Sequence, residues 1–153
     1  MQQNEFPKLI MTAGTPRSGS NATVFSFDSH PEVLVWPFDF SYFPFFQKIS
    51  GDEKKISIQR LNQVFLQESM KSFQNINNDE RLNTKIDFAI FEQHLLDKTD
   101  KEVSALEYLT IIFETFKKVH HQYSNKSIKY YMMNLTSARG LDWHNEEIFQ
   151  RCF

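Results

Sequence analysis

Residues 6–21, FPKLIMTAGTPRSGSN, join a short apolar run to a polar loop bracketed by Gly14 and Gly19. An apolar run that stops at a glycine predicts a buried strand over 6–13, with the loop directly after it. Small polar residues then open SNATVFSFDS, where Val24, Phe25 and Phe27 suit a helix over 20–29. HPEV at 30–33 stops that helix, because proline disfavours helical geometry in the residue before it. VLVW at 33–36 is the next strand. The first fifty residues therefore predict strand–loop–helix–strand, a βαβ opening.

A mainly helical stretch follows. From Ile58, residues Leu61, Val64, Phe65, Phe73 and Ile76 fall near one face of an amphipathic helix. NINNDERLNT at 75–84 predicts a polar loop. Over 101–122, Val103, Leu106, Leu109, Ile112, Phe113, Phe116 and Val119 recur at three- and four-residue steps, the clearest helix in the chain. Asp100 is placed to cap its start, and Lys117 and Lys118 near its end complement the helix dipole. SIKYYMMNL at 127–135 predicts a further buried strand, TSARGLDW a turn, and HNEEIFQRCF a helix still in progress at Phe153. There are no internal repeats and no linker, so residues 1–153 are expected to form one domain. Alternating strands and helices predict an α/β fold with a parallel sheet and helices on its faces. Three strands are thin for such a sheet, which suggests a domain truncated before its last strands.

The composition narrows the function classes. With 153 residues, 41% hydrophobic and 24% charged, the chain can bury one core. A formal net charge of -2 gives no reason to expect nucleic acid or an anionic membrane as main partner. Cys152 is the single cysteine, so no internal disulfide forms, which fits a reducing compartment. MQQNEFPKLI lacks the features of a signal peptide, and no run approaches the roughly 20 apolar residues of a membrane helix. A cytoplasmic location without a membrane span is expected. Two sequons, at Asn21 and Asn134, read as chance matches in that setting. Seven aromatics between Trp36 and Phe46 are either an acceptor-binding surface or core.

A loop in this position is expected to suit an anion. A tight turn between a strand and a helix aims backbone N–H groups at one point, where the helix dipole adds positive character. Gly14 and Gly19 permit close approach, Ser18 and Ser20 add hydroxyls, and Arg17 adds a guanidinium fork matched to phosphate or sulfate oxygens. In the nucleotide-hydrolase loop GxxxxGK[ST], a lysine and a magnesium-binding hydroxyl follow the second glycine. Ser20 and Asn21 stand there instead, which argues against magnesium-dependent nucleotide hydrolysis. The dinucleotide fingerprint GxGxxG is absent.

The longer stretch TPRSGSNATVFSFDSHPEV, Thr15 to Val33, resembles the opening of the sulfotransferase family. That opening reads roughly [TP]-P-[RK]-S-G-[ST]-[ST], then a helix and HP-[ED]-V. Arginine in the loop makes it similar to the branch that includes Golgi and tyrosylprotein-type enzymes and many bacterial relatives. The resemblance implies a P-loop-like three-layer fold and binding of 3′-phosphoadenosine 5′-phosphosulfate (PAPS), with no metal. It places Thr15, Pro16, Arg17, Ser18, Gly19, Ser20 and Asn21 around the 5′-phosphosulfate, with Arg17 neutralising the bridging oxygen as the sulfuryl group leaves. Asn21 departs from the family's usual threonine or serine, although an amide also donates.

The same resemblance implies a general base shortly after HPEV. Asp39 is the only carboxylate in LVWPFDF, and it stands open between that role and a turn aspartate beside Pro37. His30 is a second candidate that reads equally as part of the helix stop. Asn134, Ser137 and Arg139 are potential contacts to cofactor or acceptor, while the pair His120 and His121 suits a dipole or surface role at a helix end. The family's later segment for the 3′-phosphate, an arginine in an RdP-like turn followed by a serine, does not occur, in keeping with an N-terminal portion of such a domain. The acceptor would be a small molecule, a carbohydrate or a peptide. Two other functions stay open: another P-loop enzyme such as a small-molecule kinase, and a non-catalytic binding module.

Overall fold

The structure is a computed structural model that describes residues 7–12, 20–39, 42–78, 80, 85–120 and 122–134. The predicted opening is present. Strand β1 (Lys8–Thr12) leads, across the loop region, to helix α1 (Ser20–Ser26) and strand β2 (Val33–Asp39). Helix α1 is three residues shorter than predicted. Ser29 takes a left-handed backbone, with φ 72°, His30 N–H donates to the Phe27 carbonyl at 3.0 Å, and the HPEV turn closes through Val33 N–H donating to the His30 carbonyl at 3.4 Å. Strand β2 runs three residues past the predicted VLVW. Pro37 lies inside it, and the ladder shifts register between Val35 and Asp39, as expected where one residue has no N–H to donate.

Helix α2 (Tyr42–Ser50) arises from the aromatic run, with Pro44 tolerated in its first turn. A two-residue strand β3 (Ile56–Ser57) precedes helix α3 (Ile58–Asn78), which extends into the predicted polar loop. Helix α4 (Phe88–Leu96) was not foreseen. Its start is fixed by the Asp87 carboxylate, which accepts from Ile90 N–H at 3.2 Å, and it buries Phe91 and Leu95, one turn apart. Strand β4 (Glu102–Val103) pairs antiparallel with β3, tying the start of α3 to that of helix α5 (Ala105–Val119).

The cap of α5 is Ser104, not Asp100. Ser104 and Glu107 form a reciprocal box: Glu107 N–H donates to the serine hydroxyl at 3.3 Å, and Ser104 N–H donates to the Glu107 carboxylate at 2.7 Å. Asp100 instead accepts from the Ser57 hydroxyl at 2.7 Å and from Gln59 N–H at 3.3 Å, so it holds the first turn of α3.

The last described strand, β5 (Tyr130–Asn134), lies between the first two. The order is β1–β5–β2, all parallel, with Lys8 and Val33 both opposite Tyr130 and Thr12 opposite Asn134. Alternation along the strands then sorts side chains to two faces. Leu34, Trp36, Tyr131 and Met133, with Leu9 and Met11 partly covered, join the large core built by α2 to α5. Val33, Val35 and Met132 pack with Val24 of α1 in a second, smaller cluster. The chain is thus mixed α/β, with helices against both faces of a small parallel sheet.

The large core is aromatic. Phe65 of α3 lies 6.3 Å from Trp36, 5.9 Å from Phe45, 6.3 Å from Phe91 and 6.3 Å from Tyr108, ring centre to ring centre. One side chain therefore touches the sheet and three helices. A buried polar chain runs through the same region: the Tyr108 hydroxyl donates to Asn62 Oδ1 at 2.9 Å, and Asn62 Nδ2 donates to the Leu95 carbonyl at 2.8 Å. It satisfies each partner and cross-links α3, α4 and α5.

Candidate functional site

In open parallel sheets, ligands bind beyond the carboxyl ends of the strands, where connecting loops gather. Here those ends are Thr12 of β1, Asn134 of β5 and Asp39 of β2, which share one register row, with Asn134 in the middle. Neighbouring strands lie about 4.8 Å apart, so the row is roughly 10 Å wide. Thr12 and Asn134 are joined directly. The threonine hydroxyl faces Asn134 Oδ1 at 3.1 Å and the Met133 carbonyl at 3.4 Å, and Asn134 is 1% exposed. Asn134 alternates with Met132, which places it on the α1 face of the sheet.

The glycine loop connects to this row. Residues 13–19, and with them Thr15, Pro16, Arg17, Ser18 and Gly19, lie outside the described residues. The two ends of the loop are described: it leaves β1 after Thr12 and enters α1 at Ser20. Ser20 and Asn21 are the first two residues of that helix, and the description covers their backbone only. Asp39 is the final residue of β2 and its backbone pairs with Asn134. It ends a strand rather than occupying a turn beside Pro37. The structure thus brings Asp39 and Asn134 to one edge, while Ser137 and Arg139 lie outside the described residues.

Other candidates fall elsewhere. His30 is exposed, and its Nδ1 accepts from Glu32 N–H at 3.2 Å within the turn that ends α1. His120 is 1% exposed rather than at the surface. It caps α5, packs edge-on against Phe116 and Tyr123, and accepts from Gln122 N–H through Nδ1 at 3.2 Å. His121 lies outside the described residues. In the aromatic run, Trp36, Tyr42, Phe45 and Phe46 are core side chains, so these four line no open acceptor pocket. Asn134 is buried within a strand, which rules out its sequon as a glycan site.

Strongly perturbed hydroxyls sit on the opposite face of the sheet. Burial pushes the Tyr131 hydroxyl far above its ordinary range, and the Glu114 carboxylate that it donates to adds to the effect. Its ring stacks on Phe113 at 4.6 Å, so this pair joins β5 to α5 and stands apart from the row. Among the described residues no three His, Cys, Asp or Glu side chains gather to hold a metal, and no helix is long and apolar enough to cross a membrane.

The Thr12–Asn134 pair is what sequence reasoning missed. Asn134 was recognisable by its type at a strand end, but its partner is 122 positions away. The only local signal for Thr12 is a hydroxyl residue closing an apolar strand just ahead of a glycine loop. No protein-family model matches the chain, and no curated protein and no solved structure matches it either.

Proposed function

We propose that the protein is a PAPS-dependent sulfotransferase built on a P-loop-like, three-layer α/β fold. One observation carries this reading: the stretch that resembles the family's phosphosulfate loop spans the connection from the carboxyl end of β1 into α1. Helices against both faces of a parallel sheet accord with it. Arg17 and the loop amides would hold the 5′-phosphosulfate, and Asp39, at the same edge, would serve as base.

PAPS supplies an activated sulfuryl group whose bond to the bridging phosphate oxygen breaks as a new bond to the acceptor oxygen or nitrogen forms. The chain's own part is to position the groups and stabilise charge. Arg17 offsets negative charge growing on the bridging oxygen, and Asp39 takes the acceptor proton. A guanidinium within the loop suits this transfer, because a sulfuryl group carries less charge than the phosphoryl group that magnesium normally accompanies.

Calorimetric titration with 3′,5′-bisphosphoadenosine and with ATP plus magnesium tests the reading. Metal-independent binding of the bisphosphate, weakened roughly tenfold or more by Arg17→Ala, is expected from the loss of a charge-assisted contact. Tighter, magnesium-dependent binding of ATP would point to a small-molecule kinase instead. Failure to bind either nucleotide would leave a non-catalytic module.

A further inference from the structure

We propose that the outer edge of β1 is a docking surface for the same strand of a second copy, the two strands running antiparallel about a two-fold axis at Ile10. The surface lies along the side of β1 and does not depend on what the glycine loop binds.

Among the described residues, β1 is one of the two edge strands of the sheet. Lys8 N–H donates to the Lys129 carbonyl at 2.9 Å, so Lys8, Ile10 and Thr12 turn their backbone groups toward β5. The N–H and C=O groups of Leu9 and Met11 alternate with these and point outward, a template for a further strand. The side chains lead to the same edge. Ile10, Met132 and Val35 share one row on the α1 face. Met132 and Val35 are 3% and 4% exposed, whereas Ile10 is 37% exposed. The apolar row thus runs out at β1, and a strand laid alongside would continue it. The opposite edge is blunted: β2 carries Pro37, which has no N–H to offer, and a break in register.

The residues of KLIMT select a second copy and fix its direction. Centred on Ile10, an antiparallel pairing sets Leu9 against the partner's Met11 and Met11 against the partner's Leu9, and each pair exchanges both outward bonds. Ile10 then meets the partner's Ile10 as the closer, non-hydrogen-bonded pair, apolar against apolar. Lys8, the one charge in the strand, falls opposite the partner's Thr12. A parallel pairing in register would bring lysine against lysine instead. Two five-residue edges make a small interface, so the association is expected to be weak and reversible.

Sedimentation equilibrium of the full chain from about 1 µM to about 1 mM is expected to show monomer–dimer exchange within that range. Ile10→Lys and Ile10→Glu, at an exposed position, should each leave only monomer. An equimolar mixture of the two should dimerise again, because opposite charges meet at the axis. Amide exchange of Leu9 and Met11 should slow several-fold as concentration rises, while that of Ile10, already paired with β5, changes little. A chain that stays monomeric throughout overturns the proposal, as does a dimer that survives both substitutions or is not restored by the mixture. Full protection of Leu9 and Met11 in the dilute monomer would mean that another part of the chain covers the edge, and overturns it too. Should either variant not fold, the exchange pattern of the unaltered protein still decides.

Discussion

Ser104 and Asp100 stand four residues apart, and each secures a different helix. Ser104→Ala removes the hydroxyl that accepts from Glu107 N–H and leaves only the reciprocal half of the box, and should cost about 1 kcal/mol, or ~2–4 °C in melting temperature for a chain of this size. The Ser104 N–H that donates to the Glu107 carboxylate, with the serine hydroxyl adding to it, holds that carboxyl below its ordinary value of 4.5. A depressed carboxyl contributes stability that is present above its unfolded value and lost as pH falls through the lower folded one. Melts of Glu107→Gln, which removes the titrating carboxyl, between pH 3 and pH ~7 should therefore show a shallower acid limb than the parent. The periodicity of this helix was legible in the sequence, but its cap was not. Both residues are acceptable caps, and the choice is made by Ser57, 43 positions from Asp100. Asn134 follows the same rule: its type could be read from the chain and its threonine partner could not.

At the scale of elements, the clearest readings came from long periodic stripes, as in α3 and α5. Helix α4 escaped because its nine residues bury only Phe91 and Leu95, too few to set a period against a polar background. Helix α2 escaped because a cluster of aromatics interrupted by proline resembles a surface patch as much as a helix. Beside the aromatic contacts, a polar chain links α3, α4 and α5. Asn62→Ala strips the Leu95 carbonyl and the Tyr108 hydroxyl of their partner, and is expected to cost about 2–3 kcal/mol. Tyr108→Phe leaves only Asn62 Oδ1 wanting and should cost less, which urea denaturation of the two variants will rank. The buried tyrosines also set the alkaline limit. Burial raises Tyr108 and Tyr131 far above 10.0, and raises Tyr123, with Asp28 nearby, to about 12. A raised hydroxyl contributes stability in full below its unfolded value and loses it as pH climbs toward the folded one. Stability should thus fall from pH 10 upward, and Tyr123→Phe should flatten the part of that fall between 10 and about 12.

For the whole molecule, Phe65 is the side chain on which sheet and helices meet. Phe65→Ala should cost about 3–5 kcal/mol, a large share of the ~5–15 kcal/mol that holds a domain together. Because the same ring contacts β2, α2, α4 and α5, the loss should be shared by all of them. Far-UV circular dichroism and tryptophan fluorescence should then report one coincident transition at a lower temperature. A sheet that outlasts the helices would argue against a single cooperative core. Fold class was legible in the alternation of strand and helix patterns, because periodicity reports which face of an element is buried. Strand order was not, because hydrophobic patterning carries no information about which neighbour lies on either side.

The central place of β5 has a consequence for how the protein is made. At ~5–20 residues per second, on the order of ten seconds separate the synthesis of β1 from that of the strand that pairs with it. Throughout that interval β1 and β2 have no ladder between them, and the apolar residues of both strands await a partner still being translated. The ladder of β1, β5 and β2 cannot form until residues 130–134 have been made. Any pause in translation over the helical middle of the chain prolongs the time in which those strands are open to chaperones, to proteases and to each other's copies.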